Sequence, residues 1–202
     1  TLGRLIFRLY DVKSGSIKVN DSDLREAHLD TLRRNIAIVT QDVQLFRASI
    51  RDNLTFFDRS IPDEKIIATL EELELGGWLQ SQPKGLDTEL ETGSRSLSAG
   101  EAQLLAFTRV FLRNPGLVIL DEASSRLDPA TEQLLERAID KLLKNRTAII
   151  IAHRLDTIHR ADEIMILDKG NVSEYGDRKQ LAADPTSRFY QLLQTGMEEV
   201  LA

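Results

Sequence analysis

The sequence predicts an α/β fold, a mostly parallel sheet flanked by helices with an inserted helical sub-lobe, and three observations carry that prediction. Three apolar segments, Leu117 to Leu120, Ala148 to Ala152 and Ile164 to Leu167, are separated by helical stretches such as Pro129 to Leu143. Short apolar runs alternating with helices are the pattern of buried parallel strands. Residues 44 to 114 have another texture, charge-rich and helical, which marks the sub-lobe. No apolar run approaches the roughly 20 residues that cross a bilayer, and no internal repeat or low-complexity linker interrupts the 202 residues.

The elements follow in order. Leu2, Leu5, Ile6 and Leu9 have helical spacing from the first residue onward. Gly15 punctuates, and Ser16 to Asn20 alternates as a short strand. Leu29 to Asn35 reads as a helical turn leading into an apolar strand, Ile36 to Thr40. Pro62 stands where a first-turn proline belongs, and Ile66, Ile67, Leu70, Leu73 and Leu75 then form a core-facing stripe. Leu104 to Leu112 is an apolar helix, and Asp177 to Leu193 reads as short amphipathic helices closing the chain.

A formal net charge of -6 disfavours a nucleic-acid surface, because phosphate backbones are bound mainly through clustered Lys and Arg. With no cysteine, neither a disulfide framework nor a thiolate metal site is available, as suits a reducing compartment. Thr1 to Tyr10 carry two arginines and no signal-peptide cleavage pattern. Any membrane association is therefore expected through a partner or through sequence outside these residues.

Four places carry candidate chemistry. Leu117 to Leu120 is followed by Asp121 and Glu122, and a buried strand delivers such a pair to the carboxyl edge of a sheet, where open α/β folds bind ligands. One carboxylate can hold Mg²⁺ while the next orients or deprotonates a water attacking a phosphate. Leu97 to Glu101 runs into an apolar helix, with Ser98 and Glu101 at capping-box spacing. A helix start is also an anion site, and Gly100 permits close approach of a phosphate to the backbone. Gln41 and His153 each end a strand. Taken singly, each feature has an ordinary structural reading: solvated acids, a well-capped helix, polar residues that bond a loop. Their joint occurrence suits a metal-complexed phosphate.

In order and spacing these residues resemble the nucleotide-binding domain of ABC transporters. Gln41 is similar to the Q-loop glutamine, Leu97 to Glu101 to the signature motif, Leu117 to Glu122 to Walker B, Ser125 to Asp128 to the D-loop and His153 to the H-loop histidine. The likeness covers residues 1 to 202, and Asp42 to Phe46 with Ser49 to Leu54 resembles the exporter type. It implies a P-loop NTPase-type sheet and an ATPase that couples hydrolysis to transport, with ATP and Mg²⁺ as cofactors. Asp121 and Gln41 would attend the metal, Glu122 would be the general base and His153 would contact the γ-phosphate. Ser98 and Gly100 would bind that phosphate across a head-to-tail dimer, and Asp128 would tie the two sites together. The implied partners are a second nucleotide-binding domain, identical or different, and transmembrane domains; the implied location is the cytoplasmic face of a membrane.

The sequence departs from the family pattern in three ways. The glycine-rich loop with its lysine is absent, and the pattern places Thr1 just after that loop's Mg²⁺-binding hydroxyl residue, so the chain alone is expected to bind ATP poorly and to be unstable or aggregate. Ala99 and Glu101 replace the usual glycine and glutamine of the signature, which suits a weak site paired with a strong one. Arg126 replaces a small residue in the D-loop. Two rival readings stay open: a soluble ABC ATPase that remodels nucleic acid or ribosomes, disfavoured by the acidic balance, and a catalytically weak regulatory cassette.

Overall fold

A computed structural model describes residues 2–40, 43–90, 97–121, 128–152 and 155–195, in two compact units, Thr1–Ile149 and Ile150–Ala202. The first opens with α1 (Leu2–Ile6) and a small antiparallel hairpin, β1 (Lys18–Val19) and β2 (Ser22–Asp23). The strand expected over Ser16 to Asn20 shrinks to two residues because Asn20 and Asp21 both take left-handed φ, 48° and 64°, the backbone of a tight hairpin turn. Next, α2 (Leu29–Asn35) passes without a loop into β3 (Ile36–Val39).

Helices dominate the described residues between 50 and 113. Ser49 caps α3 (Ile50–Thr55), its hydroxyl accepting from the Asp52 amide at 3.0 Å. Pro62 is the N-cap of α4 (Asp63–Glu72), one position before the first turn where the sequence suggested it. On α4 the buried face is Ile66 and Leu70, continued by Leu73 and Leu75, whereas Ile67 is 38 % exposed. Residues 66, 70 and 73 recur at helical spacing and residue 67 lies beside that stripe. After α5 (Gly76–Gln80) and a 3₁₀ turn, Gly85–Asp87, comes α6 (Ala99–Arg113), the longest helix of this stretch. Arg51 bridges Asp63 at 2.8 Å and also Asp87, joining α3, α4 and the 3₁₀ turn.

β4 (Leu117–Asp121) pairs in parallel with β3, Ile36 opposite Leu117 through Val39 opposite Leu120. α7 (Pro129–Leu143) follows, then β5 (Thr147–Ile151), giving the sheet order β3, β4, β5. α6 packs on β3, α3, α4 and α7. Phe107, Leu135 and Leu142 are fully buried, with Val118 and Ile119 of β4; each such side chain contributes about 1.5–3 kcal/mol by leaving water. The parallel sheet flanked by helices is the fold class read from the sequence.

The second unit holds α8 (Leu155–Ile158), β6 (Glu163–Asp168), β7 (Asn171–Asp177), α9 (Arg178–Ala183) and α10 (Arg188–Thr195). Here one expectation is corrected. Among the described residues β6 is paired with β7, antiparallel, and its Met165 and Leu167 are 45 % and 49 % exposed, so the run Ile164 to Leu167 is one arm of a hairpin. Its two-residue turn, Lys169 and Gly170, has φ of 48° and 83°. The Glu174 carboxylate accepts from the Ser187 hydroxyl at 3.0 Å and from the amides of Arg188 and Phe189 at 3.0 and 2.8 Å. It therefore caps α10 from a strand thirteen residues away in sequence. Among the described residues no helix is long and apolar enough to cross a membrane.

Candidate functional site

Parallel pairing fixes which strand ends share an edge. Since Val39 lies opposite Leu120, the chain leaves β3 at Thr40 on the same edge where β4 ends at the half-buried Asp121. Gln41 and Glu122 come next in sequence; they, His153 and Thr1 lie outside the described residues. Ser98, Gly100, Asp121 and Asp128 are described.

Ser98 is the N-cap of α6 and forms the capping box expected from its spacing. Its hydroxyl accepts from the Glu101 amide at 3.2 Å, and its own amide donates to Glu101 Oε2 at 2.7 Å. A hydroxyl has one proton and two lone pairs, so the O–H of Ser98 remains a donor. The amides of Ala99 and Gly100 have no intrahelical acceptor at their positions, and with the helix dipole they favour an anion there. Glu101 already places a carboxylate beside that helix start.

Asp128 is committed to α7. Its Oδ1 accepts from the Thr131 amide at 3.1 Å, with Pro129 at the first helical position. A hydrogen bond from the Thr131 side chain, then the backbone amides nearby, hold its carboxyl below the ordinary value of 3.8. Among the described residues no hydrogen bond joins Asp121, Ser98, Gly100 and Asp128 to one another. The structure thus gathers the two strand ends at one edge and leaves the two capped helix starts as separate features.

The structure also holds a polar hub that the sequence reading overlooked. Arg109 of α6 is 8 % exposed and Asn53 of α3 is fully buried. The Arg109 guanidinium donates to the Asn53 carbonyl at 2.7 Å, to the Gln44 carbonyl at 3.0 Å and to Asn53 Oδ1 at 3.3 Å. Phe56, left-handed at φ 53°, lies 4.8 Å from the Arg109 guanidinium and 4.6 Å from that of Arg113. An open cavity of about 480 Å³ beside it is lined by Arg33, Arg34, Phe56, Asp58 and Arg113. Helical phase was the available signal: Arg109 stands four residues after Leu105 and three before Leu112, both buried.

The family model described as ABC transporter matches residues 1–125. The chain belongs to the ABC transporter family. Among ABC transporter relatives, the ATP-dependent lipid A-core flippase of Idiomarina loihiensis is 39 % identical over 193 residues, 95 % of this chain and 33 % of the flippase. The mitochondrial iron-sulfur clusters transporter ATM1 of Saccharomyces cerevisiae is 41 % identical over 194 residues, 95 % of this chain and 28 % of ATM1. An ABC transporter ATP-binding protein of Bacillus subtilis, YknV, is 38 % identical over 183 residues, covering 91 % and 30 %. The chain thus spans about a third of the length of these ABC transporter relatives, and its likeness to exporter-type ATPase domains is borne out.

Proposed function

We propose that this chain is the part of an ABC exporter that binds and hydrolyses ATP to drive a substrate across a membrane. The carrying observation is the shared edge at which β3 and β4 end, with Asp121 on it and Gln41 and Glu122 next in sequence. The residues suit Mg-ATP: a half-buried strand-end carboxylate for the metal, and a capped helix start with amides and a hydroxyl proton for phosphate oxygens. Asp121 and Gln41 hold the metal and its water, with Thr1 just beyond the phosphate loop of the family pattern. Glu122 takes a proton from the attacking water, and His153 donates a hydrogen bond to the terminal phosphate. Ser98 and Gly100 of one domain meet the phosphate held by a second such domain, and Asp128 lies at that seam. Residues 44–114 act as the helical sub-lobe of a domain over residues 1–202, at the cytoplasmic face of the membrane, working on transmembrane domains.

A second reading, a catalytically weak cassette that binds ATP mainly to dimerise, is favoured by one observation: Glu101 sits in the capping box and adds negative charge where the phosphate approaches. ATPase activity of the complete protein and its Glu122→Gln variant separates the two. Activity that falls by about a thousandfold or more in the variant supports Glu122 as the base. Equal, negligible rates with ATP bound would instead favour the weak cassette.

A further inference from the structure

A buried arginine without a carboxylate is an unusual choice, because a desolvated charge costs several kcal/mol unless its donors are satisfied. Among the described residues no carboxylate accepts from Arg109; its acceptors are the two carbonyls of Gln44 and Asn53 and one amide oxygen. Burial, then the like charge of Arg113, pushes its pKa down to about 10, which leaves it charged at neutral pH. Asn53 already orders the segment beneath it. Its amide donates to the carbonyls of Phe46, Ala48 and Ser49, and its Oδ1 accepts from the Phe46 amide at 2.8 Å. Holding residues 46–49 on α3 therefore does not need Arg109. What Arg109 adds is the attachment of that ordered segment, and of Gln44, to α6.

The two things it attaches are the chain three residues after Gln41 and the helix whose start carries Ser98 and Gly100. Eleven residues separate Ser98 from Arg109, about 16 Å of helix at 1.5 Å per residue, and a helix transmits a displacement over that length as a stiff rod. We propose that Arg109 is a positioning residue that makes residues 44–49 and α6 move as one body, so that a change at the Gln41 strand end is delivered to the start of α6. The proposal rests on the reading of the site given above. Arg109 is buried and its donors are taken by Asn53 and Gln44, so it acts through Gln44 and the helix.

The test uses the complete protein that contains this chain, in lipid nanodiscs, with Arg109→Gln, Arg109→Lys and, as a control outside the network, Arg137→Gln, whose exposed side chain pairs with Glu74. ATP turnover, binding of a fluorescent ATP analogue and hydrogen exchange of peptides over 43–49 and 98–105 are followed against ATP concentration. In the unaltered protein both peptides should gain protection at the same ATP concentration. In Arg109→Lys, which keeps the charge but loses the planar fork, their protection should separate, with kcat per bound nucleotide falling on the order of tenfold and analogue affinity changing less than about twofold. A purely structural role would lower the folded fraction and leave kcat per bound nucleotide unchanged. Separate protection in the unaltered protein overturns the inference by itself, even if the substituted proteins fail to fold. Wild-type turnover in Arg109→Lys with joint protection also overturns it. An unaltered protein that binds no analogue would overturn the site reading and this inference together.

Discussion

Glu101 carries two opposed roles within one side chain. Its carboxylate closes the capping box on Ser98, and its charge occupies the end of α6 where an anion is most favoured. Replacement by glutamine keeps an oxygen that can accept from the Ser98 amide while removing the charge. Glu101→Gln should therefore shift unfolding by less than about 1 kcal/mol while raising kcat/KM for ATP severalfold, measured side by side in denaturant titrations and steady-state turnover. Ser98→Ala removes the acceptor for the Glu101 amide and should destabilise the domain by about 1 kcal/mol in the same titration. Asp128 gives the pH counterpart. Its carboxyl is depressed by the Thr131 side chain and then by the Thr131 amide, so its contribution is complete above the unfolded-state value and is lost as pH falls through the lower folded-state value. Acid unfolding below about pH 4 should thus be less steep in Asp128→Asn, which retains a capping oxygen without a proton to gain. The Ser98 cap was legible in the sequence because a capping box depends on residue type at fixed local spacing, whereas the capping role of Asp128 was not read there.

Elements were legible where the local pattern and the fold agreed. α7 occupies Pro129–Leu143 as read, bounded by an aspartate N-cap and a first-turn proline, and α2 and β3 fall where their patterns placed them. The hairpin of β6 and β7 was misread because an apolar run of four says nothing about the direction of its partner. The Lys169-Gly170 pair, two residues between the arms, was the overlooked clue. Gly170→Ala places a Cβ at φ 83° and should weaken that hairpin by about 1–2 kcal/mol, read as faster amide exchange in β6 and β7. The Arg109–Asn53 hub was invisible for another reason: its contacts join residues 56 apart in sequence. Asn53→Ala strips the Phe46 backbone and the Arg109 guanidinium of partners, and should cost about 3 kcal/mol in a denaturant titration.

At the scale of the whole molecule, the order of motifs along the chain was more informative than any one of them. Gln41, Ser98, the Asp121-Glu122 pair and His153 became a site hypothesis only through their joint occurrence, and the family model matches residues 1–125. The geometry adds the reason for part of it, since parallel register brings the ends of β3 and β4 to one edge. The chain covers a third or less of relatives as different as a lipid A-core flippase and an iron-sulfur clusters transporter. The carboxylate of Glu174 has a consequence of a different kind. By gathering Ser187, Arg188 and Phe189 onto one group, it gives the last helix a fixed address that does not depend on the length of chain leading to it. Because α9 also packs on α10 and on both arms of the hairpin, the last helix is moored to its unit from two sides.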